Sequence, residues 1–372
     1  MGHNVFVVNS CISDGREGYK KSIEIWEKFA DNKNKNKFIN RFNFRKMNIS
    51  LIKTRSWERN LLNSDEEENI FREAKNIMEF YDIDFVIGWG NLLLEESIYK
   101  EAKIKKIKIC FYLVNPTYKG KKTFLLANSD LVITDSEATR NLYSNELKCK
   151  TIIISKSIDE NHPNSAFEYK SQVSKKCLFV NPSLEKGLEP LLILSDFFDN
   201  RKKNIHFICI DGRNRFKDEI NYLKKKEIDI PSNILISPSM ENINNLFANI
   251  RVLLLLSIWH ESGSRLILES YKRGIPVIAF DTGGNSELMK NYPDDIFEKP
   301  LLYQDKNNRL MIQSWDIKKI YQRISYLCEK EEYYKNYSEK IKSENKPEII
   351  NKKFRKSLLK VLEFVEEDLG EK

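Results

Sequence analysis

The segment WHESGSRLILESYKRGIPVIAFDTGGNSELM, residues 259–289, carries the pattern that decides the fold. Before it, the apolar run RVLLLLS (251–257) has the length and composition of a buried strand. After a loop and a helical pattern comes a second strand, PVIAF (276–280). Gly274 and Pro276 stand where the helix must stop before that strand begins. Strand, helix and strand in this order are typical of a parallel sheet with helices on its faces.

The same alternation of short apolar strands and helical patterns runs through both halves of the chain. We predict strands at 4–10, 85–90, 108–114, 131–136, 151–155, 177–182, 204–212, 251–257 and 276–280, and helices at 14–30, 66–81, 189–198, 241–250 and 264–273, with a helical tail over 316–369. The polar segment 157–176 has no periodicity and reads as a linker. The sequence therefore predicts an α/β protein with two doubly wound, parallel-sheet domains that face each other across a cleft.

The composition is that of a globular protein without a membrane span. Of 372 residues, 41% are hydrophobic and 31% charged, and no apolar run approaches the roughly 20 residues that a span requires. The N-terminus lacks the features of a signal peptide. The six cysteines include no CxxC pair, so we expect reduced thiols, no metal site and a cytoplasmic location.

The net charge of +8 has two interpretations. It could attract nucleotide phosphates, an acidic membrane face or nucleic acid, or most lysines could simply be solvated. Nucleic acid is not an expected partner, because the sequence has no zinc-finger spacing, RNP-like motif or basic zipper. Residues 38–60 are basic with interleaved aromatic side chains. They could lie peripherally on the inner membrane face and hold a lipid-linked acceptor, or form a solvated helix and loop.

Two glutamates in the opening segment indicate a ligand site. Glu261 lies in the loop after a strand, and Glu269 lies about two turns into the following helix. Between them the helix N-terminus offers free amides, and Gly263 and Ser264 are small enough for a close approach. A phosphate at the helix N-terminus, with hydroxyl groups on the two carboxylates, describes a nucleotide sugar.

A second glycine turn, Gly283–Gly284, follows the next strand at the same edge of the sheet and can direct amides toward an anion. The same spacing also occurs in α/β proteins that bind no such ligand, so the spacing alone leaves the function open.

The combined motifs resemble those of the retaining GT-B glycosyltransferases of glycosyltransferase family 4. The family's E-x7-E pattern corresponds to Glu261 and Glu269, followed by GIPVI (274–278) and by Gly283–Gly284 with Glu287. The family's Lys-Gly turn corresponds to Lys186 and Gly187 in FVNPSLEKGLEPLL (179–192). The resemblance is strong over residues 177–290, moderate over 82–160 and weak elsewhere.

The resemblance implies a GT-B fold with an acceptor domain at 1–165 and a nucleotide-sugar domain at 172–345, the helix at 348–372 packing back on the first. Glu269 would bind the ribose, Glu261 the donor sugar and Lys186 the diphosphate. Hexosyl transfer from a nucleotide-diphosphate sugar, with a UDP-sugar favoured, would retain the anomeric configuration and need neither metal nor cofactor. The acceptor, whether glycan, lipid-linked sugar, peptide or small molecule, is not readable from the sequence.

Two positions depart from the family pattern. Asn181 stands where the family usually has an arginine that binds the diphosphate, so Arg265 becomes the candidate for the second cation. Gly263–Ser264 replaces the usual aromatic residue and glycine after the first glutamate.

Other residues have weaker signals. Gly15 and Gly18 could contact donor phosphate or acceptor, or form an ordinary helix entry. His260 could be a base, but it more readily packs or contacts a sugar. Asp82 and Asp84 form a D-x-D that reads as a helix exit rather than a metal site.

The alternatives to a glycosyltransferase are a catalytically idle GT-B module that serves as a partner or scaffold, and a GT-B phosphorylase or epimerase. Asn181 is the feature that favours an idle module, whereas the two glutamates and Lys186 argue for the transferase.

Overall fold

A computed structural model describes residues 3–13, 16–29, 38–90, 92–121, 123–159, 175–213, 215–238 and 244–370. Most of the predicted linker and Gly15 lie outside these ranges. The described chain forms two α/β domains.

The N-terminal domain contains seven described strands in two sheets. β1 and β3 are parallel, β2 is antiparallel to β3, and the second sheet has the all-parallel order β4-β5-β6-β7. The strands are β1 Val5–Ser10, β2 Ile39–Phe44, β3 Met47–Ile52, β4 Phe85–Gly88, β5 Lys108–Leu113, β6 Leu131–Thr134 and β7 Lys150–Ile153. The helices are α1 Arg16–Lys28, α2 Ser64–Phe80, α3 Leu93–Ile104, α4 Phe124–Asn128 and α5 Glu137–Leu142.

The antiparallel hairpin β2–β3 was not predicted, and the expectation of a helix and loop over residues 38–60 is wrong. Arg45 and Lys46 form its two-residue turn with positive φ angles of 49° and 65°, as the twist of a tight hairpin requires. Neither residue is a usual turn signal, which explains why sequence patterns missed the hairpin. Leu51 and Ile52 of β3 are buried, and this burial anchors the hairpin in the domain.

The C-terminal domain is built on one six-stranded parallel sheet of order β10-β9-β8-β11-β12-β13. Counted within the domain this is the order 3-2-1-4-5-6 of a dinucleotide-binding fold, in which ligands bind where the order reverses, beyond the carboxyl ends of the first and fourth strands. Here those strands are β8 and β11. The strands are β8 Lys176–Val180, β9 His206–Asp211, β10 Ile234–Pro238, β11 Val252–Leu255, β12 Val277–Phe280 and β13 Ile296–Phe297. A separate antiparallel pair follows, β14 Leu301–Gln304 and β15 Leu310–Ser314.

Alternate residues of the central strands enter cores on opposite faces of this sheet. Phe179 and Leu254 belong to the larger core, whereas Leu178 and Leu253 belong to the core on the other face. Burial on both faces is the reason these strands read as continuous apolar runs. The helices that cover the faces are α6 Leu188–Asp199, α7 Phe216–Lys224, α8 Asn244–Phe247, α9 Arg265–Tyr271, α10 Gly284–Met289, α11 Ile317–Glu329 and α12 Glu331–Glu344.

The last helix, α13 Pro347–Gly370, returns to the N-terminal domain. Its Val361 is fully buried in one apolar cluster with Ile133 and Ile152. Its Asn351 side chain accepts a hydrogen bond from the amide of Ile158 at 3.0 Å and donates one to the carbonyl of Ile158 at 2.9 Å. Among the described residues, none of the helices combines the length and hydropathy needed to cross a bilayer.

We predict that Asn351→Ala destabilises the protein by about 1–3 kcal/mol, because it leaves both buried backbone groups of Ile158 without their side-chain partner. Urea unfolding followed by circular dichroism measures the change. Lys352→Ala, an exposed position of the same helix, is the matched control and should leave the midpoint unchanged. Equal midpoints for Asn351→Ala and wild type would contradict the docking of α13.

Candidate functional site

The loop after β11 brings Glu261 to the carboxyl edge of the C-terminal sheet. Its amide donates to the carbonyl of Thr282 at 3.3 Å, and its carbonyl accepts from the amide of Gly284 at 2.7 Å. Glu261 and Gly283 form an isolated parallel bridge. The main chain of Glu261 is therefore held by the turn after the neighbouring strand β12.

Close packing against the loop after β11 requires glycine at both positions of that turn. A Cβ on Gly283 would lie 2.3 Å from the Glu261 carbonyl oxygen, and Gly283 has a φ of +71°. A Cβ on Gly284 would lie 2.5 Å from the carbonyl oxygen of Ser262. The sequence predicted that this turn directs amides toward an anion, but the Gly284 amide is occupied by the Glu261 carbonyl. The turn therefore positions Glu261.

The carboxylate of Glu261 forms an ion pair with Lys186, with Nζ and Oε1 2.5 Å apart. Ser257 Oγ donates to the same oxygen at 2.6 Å. The Glu261 side chain is 14% exposed and that of Lys186 is 35% exposed, so both are reachable from solvent. The structure thus brings together the two residues to which the family resemblance assigns the donor sugar and the diphosphate.

Lys186 owes its position to the turn after β8. Gly187 follows it with a φ of +94°, and a Cβ there would lie 1.9 Å from the carbonyl oxygen of Leu256. Only glycine permits this approach of the β8 turn to the end of β11. The Lys186–Glu261 pair therefore lies at the point where the strand order reverses.

A shallow, open recess adjoins Lys186, and two arginines that no sequence motif indicated line it. Its lining consists of Asn181, Pro182, Ser183, Lys186, Asp211, Arg213 and Arg215. Asp211 accepts hydrogen bonds from the amides of Arg215 at 3.0 Å and Phe216 at 3.1 Å, which orders the turn after β9. A positive recess at the carboxyl ends of β8 and β9 is suited to an anion.

Asn181 also lines this recess, but as part of a strained turn. It has a φ of +58°, a conformation that asparagine tolerates better than most residues. A Cβ on Gly212 would lie 2.7 Å from Asn181 Oδ1, so the turns after β8 and β9 pack directly against each other. The structure thereby places Arg213, the residue after Gly212, beside the position where the family arginine is missing. Sequence spacing gave no indication of this, because 32 positions (213 minus 181) separate the two residues.

Arg265, the cation proposed from the sequence, lies elsewhere. It begins α9 and is exposed. Its charge lowers the pKa of Tyr112, although burial and the adjacent Asp135 raise that pKa overall. Arg265 is not among the residues that line the recess beside Lys186.

Glu269 lies in α9, little more than one turn after the N-cap residue Ser264 rather than two turns in. It is half-buried. No hydrogen bond joins its carboxylate to Glu261 or Lys186 within the described ranges. One amide at the start of the helix is already used, because Ser264 N donates to Asn285 Oδ1 at 2.9 Å. Gly263 forms the tight entry to the helix, since it has a φ of +112° and a Cβ there would lie 3.2 Å from Leu288 Cδ1.

A set of polar contacts joins this site to the N-terminal domain. The Glu287 carboxylate accepts from the amides of Glu137 at 2.9 Å and Ala138 at 2.6 Å, at the start of α5. A carboxylate at a helix N-terminus satisfies free amides and interacts favourably with the helix dipole. We call this set, with the His260 and Ser262 contacts described next, the domain junction.

His260 and Ser262 complete the domain junction on either side of Glu261. His260 Nε2 lies 3.1 Å from Thr139 Oγ1, and Ser262 Oγ donates to Asp135 at 3.2 Å. Burial lowers the pKa of His260, which favours the neutral imidazole; the negative charges of Glu261 and Glu287 oppose this, and Lys299 adds to it. His260 is thus engaged in a contact between the domains, and its contact with a sugar stays a prediction.

Asp135 is the buried acceptor of the domain junction. Its side chain is 3% exposed, and it accepts hydrogen bonds from Tyr112 and Lys156 as well as from Ser262. A carboxylate buried this deeply requires such partners. Lys156 and Tyr112 therefore position the Asp135 carboxylate, which accepts the hydrogen bond from Ser262.

Gly18 and Asp84, two further residues considered from the sequence, lie in ordinary structural positions of the N-terminal domain. Gly18 lies in α1, where a Cβ would meet Ser13 Oγ at 2.0 Å; its contact with phosphate or acceptor stays a prediction. Asp84 precedes β4, and its carbonyl accepts from the amide of Lys108. Within the described ranges no three His, Cys, Asp or Glu residues are grouped as a metal site would need.

We predict that Glu287→Ala speeds amide hydrogen exchange at Glu137 and Ala138 by about tenfold or more, since each amide loses its carboxylate acceptor at the domain junction. Exchange mass spectrometry of peptides covering 131–142 measures it. Glu332→Ala, at an exposed position of α12, is the control. Unchanged exchange in Glu287→Ala would show that the two domains do not meet here in solution.

Comparison with known proteins assigns this architecture. Residues 174–344 match the family model of glycosyl transferases group 1. No curated protein sequence matches the chain. Similar solved structures include the HepE protein of Anabaena in complex with UDP-glucose, with 14% identity, a TM-score of 0.60 and coverage of 96% of this chain and 100% of that one. A glycosyltransferase from Rickettsia africae has 16% identity, a TM-score of 0.59 and coverage of 99% and 91%.

TarM is also similar, with 14% identity, a TM-score of 0.57 and coverage of 77% of this chain, which spans 58% of the length of TarM. At identities this low, the structural similarity establishes the fold and nothing more. The chain has a GT-B fold of two Rossmann-like domains, and the group 1 match of its C-terminal domain, together with this fold, supports a GT-B glycosyltransferase.

Proposed function

We propose that the protein transfers a hexosyl group from a nucleotide-diphosphate sugar to an acceptor hydroxyl, with retention of the anomeric configuration and without a metal ion. The observation that carries the proposal is the Lys186–Glu261 pair at the reversal point of the C-terminal sheet. A UDP-sugar is the favoured donor, since HepE was solved with UDP and with UDP-glucose.

Each residue of the pair has a distinct task in this proposal. The Lys186 ammonium would bind the diphosphate and neutralise the charge that grows on the leaving oxygen, a stabilisation that accounts for much of the catalysis in such sites. The Glu261 carboxylate, released from Lys186, would accept hydrogen bonds from sugar hydroxyls. Glu269 would bind the ribose. Exchange of the internal ion pair for ligand contacts keeps the Lys186 ammonium paired with an anion and the Glu261 carboxylate hydrogen-bonded.

The bond between the anomeric carbon and the leaving phosphate breaks, and a bond to the acceptor oxygen forms on the same face of the sugar. The acceptor proton passes to the leaving phosphate oxygen. This route needs no protein base, which fits a His260 that is engaged with Thr139. The charge of the leaving group is balanced by protein cations, for which the recess supplies Lys186, Arg213 and Arg215.

The six cysteines are free thiols, five of them buried, and we propose a reducing, cytoplasmic location where nucleotide sugars are available.

We propose that the N-terminal domain recognises the acceptor.

We predict that Glu261→Gln lowers turnover of a UDP-sugar by about 100-fold, since it weakens acceptance of sugar hydroxyl hydrogen bonds in the transition state. The affinity for UDP should not fall, because Glu261 contacts the sugar and not the nucleotide, and loss of its charge releases Lys186 for the diphosphate. Nucleotide release from a panel of UDP-, GDP- and ADP-sugars and titration calorimetry with the free nucleotides measure the two quantities, and NMR of the product gives the anomeric configuration. A wild-type protein that binds none of these nucleotides would favour the idle module, and an inverted product would exclude retention.

We predict that Arg213→Ala weakens UDP binding by about 10- to 100-fold, the size expected when a charge-assisted hydrogen bond of about 1.5–3 kcal/mol is lost. Uridine, which has no phosphate, should bind both proteins equally. Arg265→Ala is the matched control, because it removes the same charge outside the recess. A larger loss in Arg265→Ala than in Arg213→Ala would return the second diphosphate cation to α9.

A further inference from the structure

The last helix, α13, carries a stripe of both positive and negative charge on its outer face. Ile350, Val361 and Val365 are buried and mark the face that packs on the rest of the protein. On the opposite face, residues three and four positions apart are exposed. In chain order these exposed residues are Lys352, Lys353, Lys356, Leu359, Lys360, Glu363, Glu366 and Glu367. We call these eight residues the α13 stripe.

The two signs of charge in the α13 stripe are segregated along the helix. The lysines all lie within 352–360, and the glutamates all lie within 363–367. Within the part of the chain that the structure describes, none of these seven charged side chains forms an ion pair. Lys352 and Lys356 are four positions apart, as are Glu363 and Glu367, so residues of like charge are neighbours on the helix surface.

This arrangement is unfavourable for α13 by itself. Like charges four positions apart repel each other and destabilise a helix. The glutamates also lie toward the carboxyl end of α13, where the free carbonyl groups carry a partial negative charge. A partner that places negative charge beside the lysines and positive charge beside the glutamates would offset both effects.

We propose that the protein self-associates through the α13 stripe, with the helices of the two copies antiparallel about a two-fold axis near Leu359. In this register three lysines of each copy face three glutamates of the other. The pairs are Lys352 with Glu366, Lys353 with Glu367 and Lys356 with Glu363. All three pairs are centred on the same point of the helix to within one residue, so a single register forms them. The two-fold symmetry forms each pair twice.

Leu359 lies at the centre of the proposed contact. Its side chain is 41% exposed, although burial of a leucine is favourable. The two-fold axis brings the Leu359 side chains of the two copies together and covers both. Lys360 lies at the edge of the α13 stripe, where its long side chain can keep the ammonium group in water.

The acidic half of the α13 stripe favours a second copy over an anionic partner. A nucleic acid, an anionic membrane or an acidic peptide would be attracted by the lysines but repelled by Glu363, Glu366 and Glu367. A second copy of the same stripe engages both halves at once, because its own charges are segregated in the same way. The charge pattern is thus complementary to itself when it is reversed in direction.

The proposed contact leaves the donor site free. α13 runs antiparallel to β7, because Ser357 accepts from the amide of Ser155 after the strand and Phe364 packs under Lys150 at its start. The α13 stripe faces away from this sheet, whereas the Lys186–Glu261 pair lies in the C-terminal domain. Self-association therefore does not depend on the proposed transfer function.

We expect a weak, salt-sensitive dimer with a Kd of about 10–100 μM, because exposed ion pairs each contribute little free energy. Sedimentation equilibrium of the full chain over a range of protein concentrations measures the Kd. High salt should weaken the dimer by about tenfold or more, since exposed charges are screened. Wild type that stays monomeric at low salt and high protein concentration would overturn the proposal.

Two charge-reversed variants test the register. Lys353→Glu/Lys356→Glu and Glu363→Lys/Glu367→Lys each place like charges opposite each other, so each variant alone should be monomeric. In an equimolar mixture every reversed residue faces an opposite charge on the other variant, and the dimer should return. An anionic partner would instead bind Glu363→Lys/Glu367→Lys more tightly than wild type, and the mixture would not dimerise.

Lys318→Glu/Lys335→Glu is the matched control, because it makes the same change of net charge at exposed positions of α11 and α12. It should dimerise as wild type does. Circular dichroism and UDP affinity check that every variant is folded. Folded variants whose mixture stays monomeric, or a control that loses the dimer as well, would contradict the proposed register. Wild type that dimerises without binding UDP would support the α13 contact and oppose the transferase.

Discussion

The geometry of the site depends on one main-chain contact, the pairing of Glu261 with the Gly283–Gly284 turn. The contact is feasible because Gly283 has no Cβ, which would otherwise lie 2.3 Å from the Glu261 carbonyl oxygen. With this segment held, the Glu261 side chain turns toward Lys186, while the residues on either side of it turn toward the N-terminal domain. A single backbone constraint therefore sets both the ion pair that a donor would displace and the contacts between the domains.

The two domains meet through polar groups at this point and through a helix elsewhere. Glu287, His260 and Ser262 contribute hydrogen bonds that water can replace, so separation at the domain junction costs little free energy per contact. By contrast, α13 attaches to the N-terminal domain through buried apolar side chains such as Val361. This combination permits small changes at the cleft while the chain remains anchored on both domains. A ligand that engages Glu261 acts next to His260 and Ser262, so donor binding and domain contact are physically adjacent.

The cations beside Lys186 come from a different strand end than the motif position indicated. Asn181 stands where the family pattern has an arginine. From the sequence, Arg265 at the start of helix α9 was the candidate to replace that cation. In the structure the turns after β8 and β9 pack together at Asn181 and Gly212, and Arg213 reaches the recess from the second turn. Neighbouring parallel strands bring their carboxyl ends to one edge, so a charge can move from one strand end to the next and still face the same ligand.

Alternating apolar runs and helical patterns in the sequence were sufficient for nine strands, β1, β4–β9, β11 and β12, and for the two-domain α/β class, but they missed β10 and β13 of the C-terminal sheet. The family motifs, and not these patterns, singled out Lys186 and Glu261 as candidate site residues. These follow from local rules: burial on both faces of a strand, helix stops at glycine, and a motif that combines several short segments. Tertiary structure alone decided the β2–β3 hairpin, the domain junction and the place of Arg213. The hairpin turn uses residues without turn preference, and Glu287 meets α5 across about 150 positions of chain. Such contacts depend on which strand ends share an edge, and no local pattern encodes that order.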